Sequence, residues 1–154
     1  MKKIIFSIFL CTFVSFGFAE NYALHLDMSL EDIVKIYGEP KENYVVKPFP
    51  KQEWDLICFH YDFLDVYSYR SQKVVNGIYI YSDKYLGLID KNYIHCGKTK
   101  EEIEHCFGKG YFEGKDTKDE YTYSYALNDF RELNCYYNQE NILCGFYFGY
   151  VDPE

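Results

Sequence analysis

The sequence predicts an α+β protein built from two tandem units, each one or two short helices packed on a three-stranded antiparallel meander. Three observations carry this reading. The chain aligns with itself at an offset of 70, each copy opens on a capped segment of helical period, and each continues into segments where apolar and polar residues alternate. With 154 residues, 48% of them apolar and 4 prolines, the chain has the material for a core. The expected divisions are a leader over 1–19, a first unit over 20–91 and a second over 92–154.

The leader has the three parts of a secretory signal. Lys2 and Lys3 form a charged start, Ile4 to Val14 an apolar run, and Gly17-Phe18-Ala19 a small-x-small cleavage site, so the mature chain is expected to begin at Glu20. The run is too short, and too interrupted by Ser7, Thr12 and Ser15, for a membrane-spanning helix, and no second hydrophobic span follows. Acylation at Cys11 is the alternative, although Leu10 stands where a small residue is needed. The predicted location is periplasmic or secreted.

The helical segments come next. Leu24 to Gly38 aligns with Ile94 to Gly108, with identities at His25/His95, Glu31/Glu101, Ile33/Ile103 and Gly38/Gly108. Ser29 and Thr99 are N-cap residues; Glu102, three residues after Thr99, completes a capping box that Asp32 in the first copy fits less well. Ile33, Ile36 and Tyr37, matched by Ile103, Cys106 and Phe107, recur at i, i+3, i+4 and form one apolar stripe. Gly38 and Gly108 stop the helices, and Pro40 blocks continuation of the first.

Downstream the period falls to 2. Trp54 to Tyr61, Asp65 to Tyr69 and Lys73 to Tyr81 read as strands, matched by Tyr121 to Leu127, Phe130 to Tyr137 and Ile142 to Tyr150. The offset shortens to 68 here, which aligns Gly77-Ile78-Tyr79 with Gly145-Phe146-Tyr147 and the turns Arg70 to Lys73 and Asn138 to Asn141. A two-residue loop at Gln139-Glu140 places Cys135 opposite Cys144 at a non-hydrogen-bonded pair, where a cross-strand disulfide fits. That register turns Leu133, Cys135, Tyr137, Ile142, Cys144, Phe146 and Phe148 inward, with Asn76, Ile78 and Ile80. It leaves Tyr79, Tyr81, Tyr136 and Tyr147 on the opposite surface; a one-residue slip would reverse the faces. Pairing of the remaining cysteines stays open.

A short Gly/Asp-x-Ser/Thr-x-Glu-x-Ile/Val helix ending at Gly and followed by a meander resembles the SmpA/OmlA (BamE-like) envelope proteins and the tandem-repeat BLIP-like inhibitory proteins. The matching stretches are Asp27 to Ile33 with Gly38-Glu39-Pro40, and Gly97 to Ile103 with Gly108. The resemblance implies helix-plus-sheet units placed side by side to grip a partner protein, or an accessory role in outer-membrane assembly. It also implies a disulfide from Cys106 to Cys135 or Cys144, in competition with the cross-strand pair, and a contact role for Asp65 after Cys58. Lys98, where the first copy has Met28, departs from the pattern.

Composition narrows the function. A net charge of -8 argues against nucleic-acid binding, which rests on cationic neutralisation of phosphates. Cys58-x-His60, His95-Cys96 and His105-Cys106 lack zinc-ligand spacing, so no metal and no cofactor is predicted. A thiol enzyme or hydrolase using Cys58, His60 or His95 is the rival reading, weakened because sequence neighbours on a strand point apart and no third orienting group is evident. The equivalence of His25 and His95 favours a structural role for both. Lys115 to Glu120 reads as a solvated loop. The 18 tyrosines exceed what two small cores hide, and tyrosine combines rigid contact area with a polar tip. The expectation is a non-enzymatic protein-binding module, an enzyme inhibitor or an envelope scaffold, contacting its partner through Tyr79, Tyr81, Tyr136, Tyr147 and Asp65. Weak self-association through an edge strand is a further expectation.

Overall fold

The computed structural model describes residues 23–46, 56–116, 120–127 and 131–150. The leader, its cleavage site, Cys11 and Trp54 lie outside them. The chain order is β1 (Ala23–Leu24), α1 (Leu30–Tyr37), β2 (Glu42–Val46), β3 (Leu56–Tyr61), β4 (Leu64–Tyr69), β5 (Gly77–Ile80), β6 (Leu86–Ile89), β7 (Asn92–Ile94), α2 (Lys100–Phe107), β8 (Tyr111–Lys115), β9 (Tyr121–Ala126), β10 (Arg131–Tyr137) and β11 (Leu143–Tyr150).

The fold class corrects the expectation. The protein is mostly β: the described residues form eleven strands against two helices of eight residues each, with one continuous eight-stranded antiparallel sheet in place of two separate three-stranded meanders. Its order is β2-β3-β4-β5-β11-β10-β9-β8, and β1, β6 and β7 form a second, three-stranded sheet. Each copy contributes four strands, and the copies join where β5 pairs with β11. An unpaired edge at the end of either meander would expose backbone donors and acceptors; joining the two last strands removes both edges at once.

Both helices start and stop as their sequences dictate. Ser29 Oγ accepts from the Asp32 amide at 3.0 Å, and the Ser29 hydroxyl donates to the Asp32 carboxylate at 2.8 Å, where the capping box would have the carboxylate reach the backbone. In the second copy the longer Glu102 completes the capping box, accepting from the Thr99 amide at 2.7 Å while Thr99 Oγ1 accepts from the Glu102 amide at 3.2 Å. Gly38 and Gly108 end the helices at φ of 81° and 82°, a region where a side chain is strained. Asp27 at φ 67° and Gly97 at φ 93° are likewise equivalent, which explains the Gly/Asp alternation ahead of each cap.

Each helix start is then tied to the hairpin of its own copy by the same bonds. Leu30 N donates to Lys73 O at 3.1 Å and Lys100 N to Asn141 O at 3.0 Å, with Ser29 bridged to Val74 and Thr99 to Ile142. Lys73 and Asn141 both hold left-handed backbone, at φ 56° and 59°. His25 and His95 each lay a ring Nδ1 against the carbonyl of the following residue, at 2.8 and 2.7 Å.

Among the described residues one core serves both copies. Ile33 and Ile103, both fully buried, reach from the helices onto the inner sheet face of Val66, Ile78, Ile80, Leu133, Phe146 and Phe148. Burial of one such side chain stabilises by about 1.5–3 kcal/mol. The small sheet covers the same face: a Cβ on Gly87 would come within 2.9 Å of Phe146 and 3.1 Å of Phe148, so only glycine permits this approach. The opposite face carries no layer of described residues.

The register at the β10–β11 turn corrects the disulfide expectation. The loop is one residue longer than expected, with Tyr137 opposite Leu143, and a bulge between Tyr136 and Tyr137 adds a second residue. Cys135 therefore pairs with Phe146 and not with Cys144, and Cys58, Cys96, Cys106, Cys135 and Cys144 are all unpaired thiols. The Cys106 pairing implied by the resemblance is absent too. Two single-residue additions shift Cys144 by an even number, so Phe146 and Phe148 still face the core. Along β11 only residues beside the bulge change sides: Leu143 is buried, while Ile142 and Cys144 are half-buried. Ahead of β5 the expected inward Asn76 is instead half-buried, accepting from the Tyr69 amide and donating to Gln72, and Val75 is the fully buried residue.

Candidate docking surface

Alternation along the strands and their register bring the outward side chains into transverse rows. One row crosses the entire sheet: Glu42, His60, Asp65, Tyr79, Tyr147, Asn134, Ser124 and Tyr111, each opposite the next. Tyr79 and Tyr147 stand at its centre. They are equivalent in the repeat and directly opposite each other, so an approximate two-fold axis relating the copies passes between them.

Glycines let these two rings lie along the sheet. Tyr147 leans over Gly77 and Gly149; a Cβ on Gly77 would come within 2.7 Å of its hydroxyl, and one on Gly149 would overlap it. Its ring meets Tyr67 edge-on at 6.2 Å between centroids. Tyr79 leans the other way, toward Gly145, and meets Tyr136 edge-on at 5.5 Å. Since Tyr67 stands opposite Gly77 and Tyr136 opposite Gly145, the two ring pairs are copies of one arrangement. Edge-on pairs of this kind contribute about 0.5–1.5 kcal/mol beyond area burial.

Two cavities lie side by side on this face. One, of about 330 Å³, is lined by Leu56, Tyr67, Tyr79, Tyr136 and Tyr147. The other, of about 500 Å³, shares Tyr79 and Tyr136 and adds Phe63, Asp65, Tyr81 and Glu120, with Cys144 and Gly145 at its floor. All five residues expected to meet a partner therefore line one or both cavities: Tyr79 and Tyr136 both, Tyr147 the first, Asp65 and Tyr81 the second. Burial pushes the Tyr79 phenol up to about 12 and raises those of Tyr67, Tyr81 and Tyr136, so these rings are neutral at physiological pH.

Sequence reasoning missed Tyr67, Phe63 and Glu120. Tyr67 was legible from the alternation of Asp65-Val66-Tyr67; Phe63 sits in a hairpin tip, and Glu120 in a segment that reads as a solvated loop. Asp116 N donates to Glu120 O and Glu120 N to Asp116 Oδ1, each at 2.9 Å, which ties the end of β8 to the start of β9.

The candidates for covalent chemistry are placed differently. Asp65 Oδ1 lies 2.6 Å from His60 Nδ1, so an orienting carboxylate for that imidazole exists on the neighbouring strand. Cys58, on the same strand as His60, is fully buried, and burial raises its thiol; the Cys96 thiol is pushed up to about 12 and that of Cys135 rises as well. Among the described residues no three His, Cys, Asp or Glu side chains group as metal ligands. No described helix is long and apolar enough to cross a membrane.

No protein-family model matches this chain, and no curated protein matches it. Solved structures do resemble it. An extracellular protein containing a SCP domain, from Bacillus anthracis str. Ames, aligns with a TM-score of 0.54 at 10% identity over 86% of this chain and 47% of that one. This likeness shows a shared fold, and the chain spans about half the length of that protein. A DUF4309 family protein from Bacillus subtilis aligns at TM-score 0.47 and 14% identity over 78% and 76% of the two chains. A cysteine-rich secretory protein from Staphylococcus aureus aligns at 0.46 and 9% over 82% and 43%.

Proposed function

We propose that this chain is an exported, non-enzymatic protein-binding module that contacts its partner through the tyrosine face of the eight-stranded sheet. The observation that carries the reading is the convergence of Tyr67, Tyr79, Tyr136 and Tyr147 around the two-fold axis on a face that no other described layer covers. Tyrosines of this kind, rigid and half-buried, lose little freedom when a partner closes over them, and their hydroxyls keep the free surface soluble. Thiols that are buried and raised do not supply a nucleophile at neutral pH, which weighs against the thiol-enzyme alternative.

The leader expected over 1–19 supports export, and the Bacillus anthracis protein that shares the fold is described as extracellular. Inhibition of a secreted or periplasmic enzyme is the form of binding that the resemblance to tandem inhibitory proteins favours. The test is affinity capture with the purified protein from envelope and culture-supernatant extracts, compared with Tyr79→Ala/Tyr147→Ala. A protein retained by the first and lost by the second is expected. Equal recovery on both, with folding unchanged, would reject the tyrosine face as the contact.

A further inference from the structure

The two copies differ at the positions that flank the central tyrosines. Opposite Tyr79 stands Asp65, whereas opposite the equivalent Tyr147 stands Asn134. Tyr81 of the first copy has Gly149 as its counterpart in the second. The larger cavity lies on the side of the axis where, among the described residues, a carboxylate and an extra ring replace an amide and a glycine.

We propose that this cavity receives the cationic side chain, lysine or arginine, of a basic segment of the partner protein. The inference rests on the docking reading above and names the chemistry of the partner. Four aromatic rings wall the cavity, Phe63, Tyr79, Tyr81 and Tyr136, and the carboxylates of Asp65 and Glu120 complete it. Tyr79 and Tyr81 lie 5.2 Å apart with planes inclined by 40°, and Tyr136 closes edge-on at 5.5 Å. Ring faces attract cations, and the attraction grows as water is removed. Among the described residues no lysine or arginine lines the cavity; His60 already meets the Asp65 carboxylate at 2.6 Å, so an incoming cation shares that group with the imidazole and has the Glu120 carboxylate beside it. The hydrocarbon stem of an incoming side chain has its own apolar contact in Phe63.

Phe63 is held there at some cost. It sits at the tip of the β3–β4 hairpin at φ 62°, a conformation rare for a bulky residue, and is 52% exposed. Its ring meets Tyr81 edge-on at 5.9 Å, and its carbonyl accepts from the Tyr81 amide at 3.2 Å. An overall charge of -8 draws a basic partner toward the surface.

The experiment titrates the isotopically labelled protein, followed by amide shifts, with Ac-Gly-Ser-X-Ser-Gly-NH2 peptides in which X is Arg, Lys or Gln, and with tetramethylammonium. The Arg or Lys peptide is expected to shift Phe63, Tyr81 and Tyr136 with a Kd in roughly the millimolar range, and the Gln peptide to bind at least about tenfold more weakly. Glu120→Gln, just ahead of β9, and Asp65→Asn should each weaken the Arg or Lys peptide by about threefold or more, and salt should weaken it further. Equal binding of the Gln peptide, or shifts confined to other faces, would overturn the proposal. Tetramethylammonium binding tightest of all would overturn it in favour of a small quaternary ammonium ligand. If Tyr79→Ala/Tyr147→Ala abolishes capture of the partner while Glu120→Gln leaves it unchanged, the docking surface stands and the cation site falls.

Discussion

The tyrosine face requires that Tyr147 lie across Gly77, and a double-mutant cycle measures whether it does. A Cβ at position 77 would stand 2.7, 3.0 and 3.2 Å from three atoms of Tyr147, and these are its three nearest neighbours. Gly77→Ala must therefore displace that ring. Loss of its edge-on contact with Tyr67 forfeits about 0.5–1.5 kcal/mol, and residual crowding adds up to about 1 kcal/mol because the ring's far end can move. Against this, alanine on an extended strand stabilises by about 0.4–1 kcal/mol through the unfolded chain. Gly77→Ala is then expected to destabilise the wild-type protein by about 1 kcal/mol, and at most about 2 kcal/mol, yet to stabilise Tyr147→Ala by about 0.4–1 kcal/mol, a coupling of about 0.5–2.5 kcal/mol. Urea unfolding of the four proteins reads both numbers. A Gly77→Ala effect that is the same in both backgrounds, within about 0.3 kcal/mol, would refute the placement of Tyr147 and with it the geometry of the docking face.

Other outcomes follow from the same structure. Ile33→Ala and Ile103→Ala, at equivalent fully buried positions in one shared core, should each cost about 2–5 kcal/mol in a single cooperative unfolding transition; two separate transitions would contradict the shared core. Thr99→Ala removes half of a capping box and should cost about 1 kcal/mol by urea unfolding. The Thr99 amide holds the Glu102 carboxyl below its ordinary value, so its contribution is complete above the unfolded-state value and is lost as pH falls through the folded one. Acid titration should therefore show a shallower loss of stability in Glu102→Gln than in wild type. Alkylation of the native protein near pH 8, read by peptide mass spectrometry, should leave Cys58, Cys96 and Cys135 unmodified until the chain unfolds; rapid labelling of Cys58 would revive the thiol-enzyme reading.

Local chemistry was legible in the sequence and long-range pairing was not. Both caps, both stop glycines and the inward stripe of Ile33 and Ile103 follow from residue types at fixed spacing, and they stand where expected. Six alternating segments correspond to β3, β4, β5, β9, β10 and β11. The strands β2 and β8 left no such pattern because they are the sheet's edges, exposed along most of their length, and exposure on both sides erases alternation. Nothing local requires β5 to pair with β11, so the single sheet, and the mostly-β class that comes with it, could not be read from period alone. The disulfide failed on a turn: Asn141, a residue that tolerates left-handed backbone, marks a longer loop than the two-residue one assumed. The tyrosine face survived this error since the loop and the bulge together shift the register by an even count. Tyr79, Tyr136 and Tyr147 share a surface for that reason, and Tyr67 joins them by the same alternation.

The central claim is that a partner protein sits on this surface, and site-specific photo-cross-linking tests it most directly. A photoreactive phenylalanine analogue is placed at Tyr136, on the tyrosine face, and in a separate protein at Tyr93, which is 55% exposed on the small sheet covering the other face. Both are irradiated in cells that export the chain. A discrete cross-linked protein from position 136 and none from position 93 is the predicted result; the same adduct from position 93 alone would place the contact on the opposite side of the molecule and contradict the account.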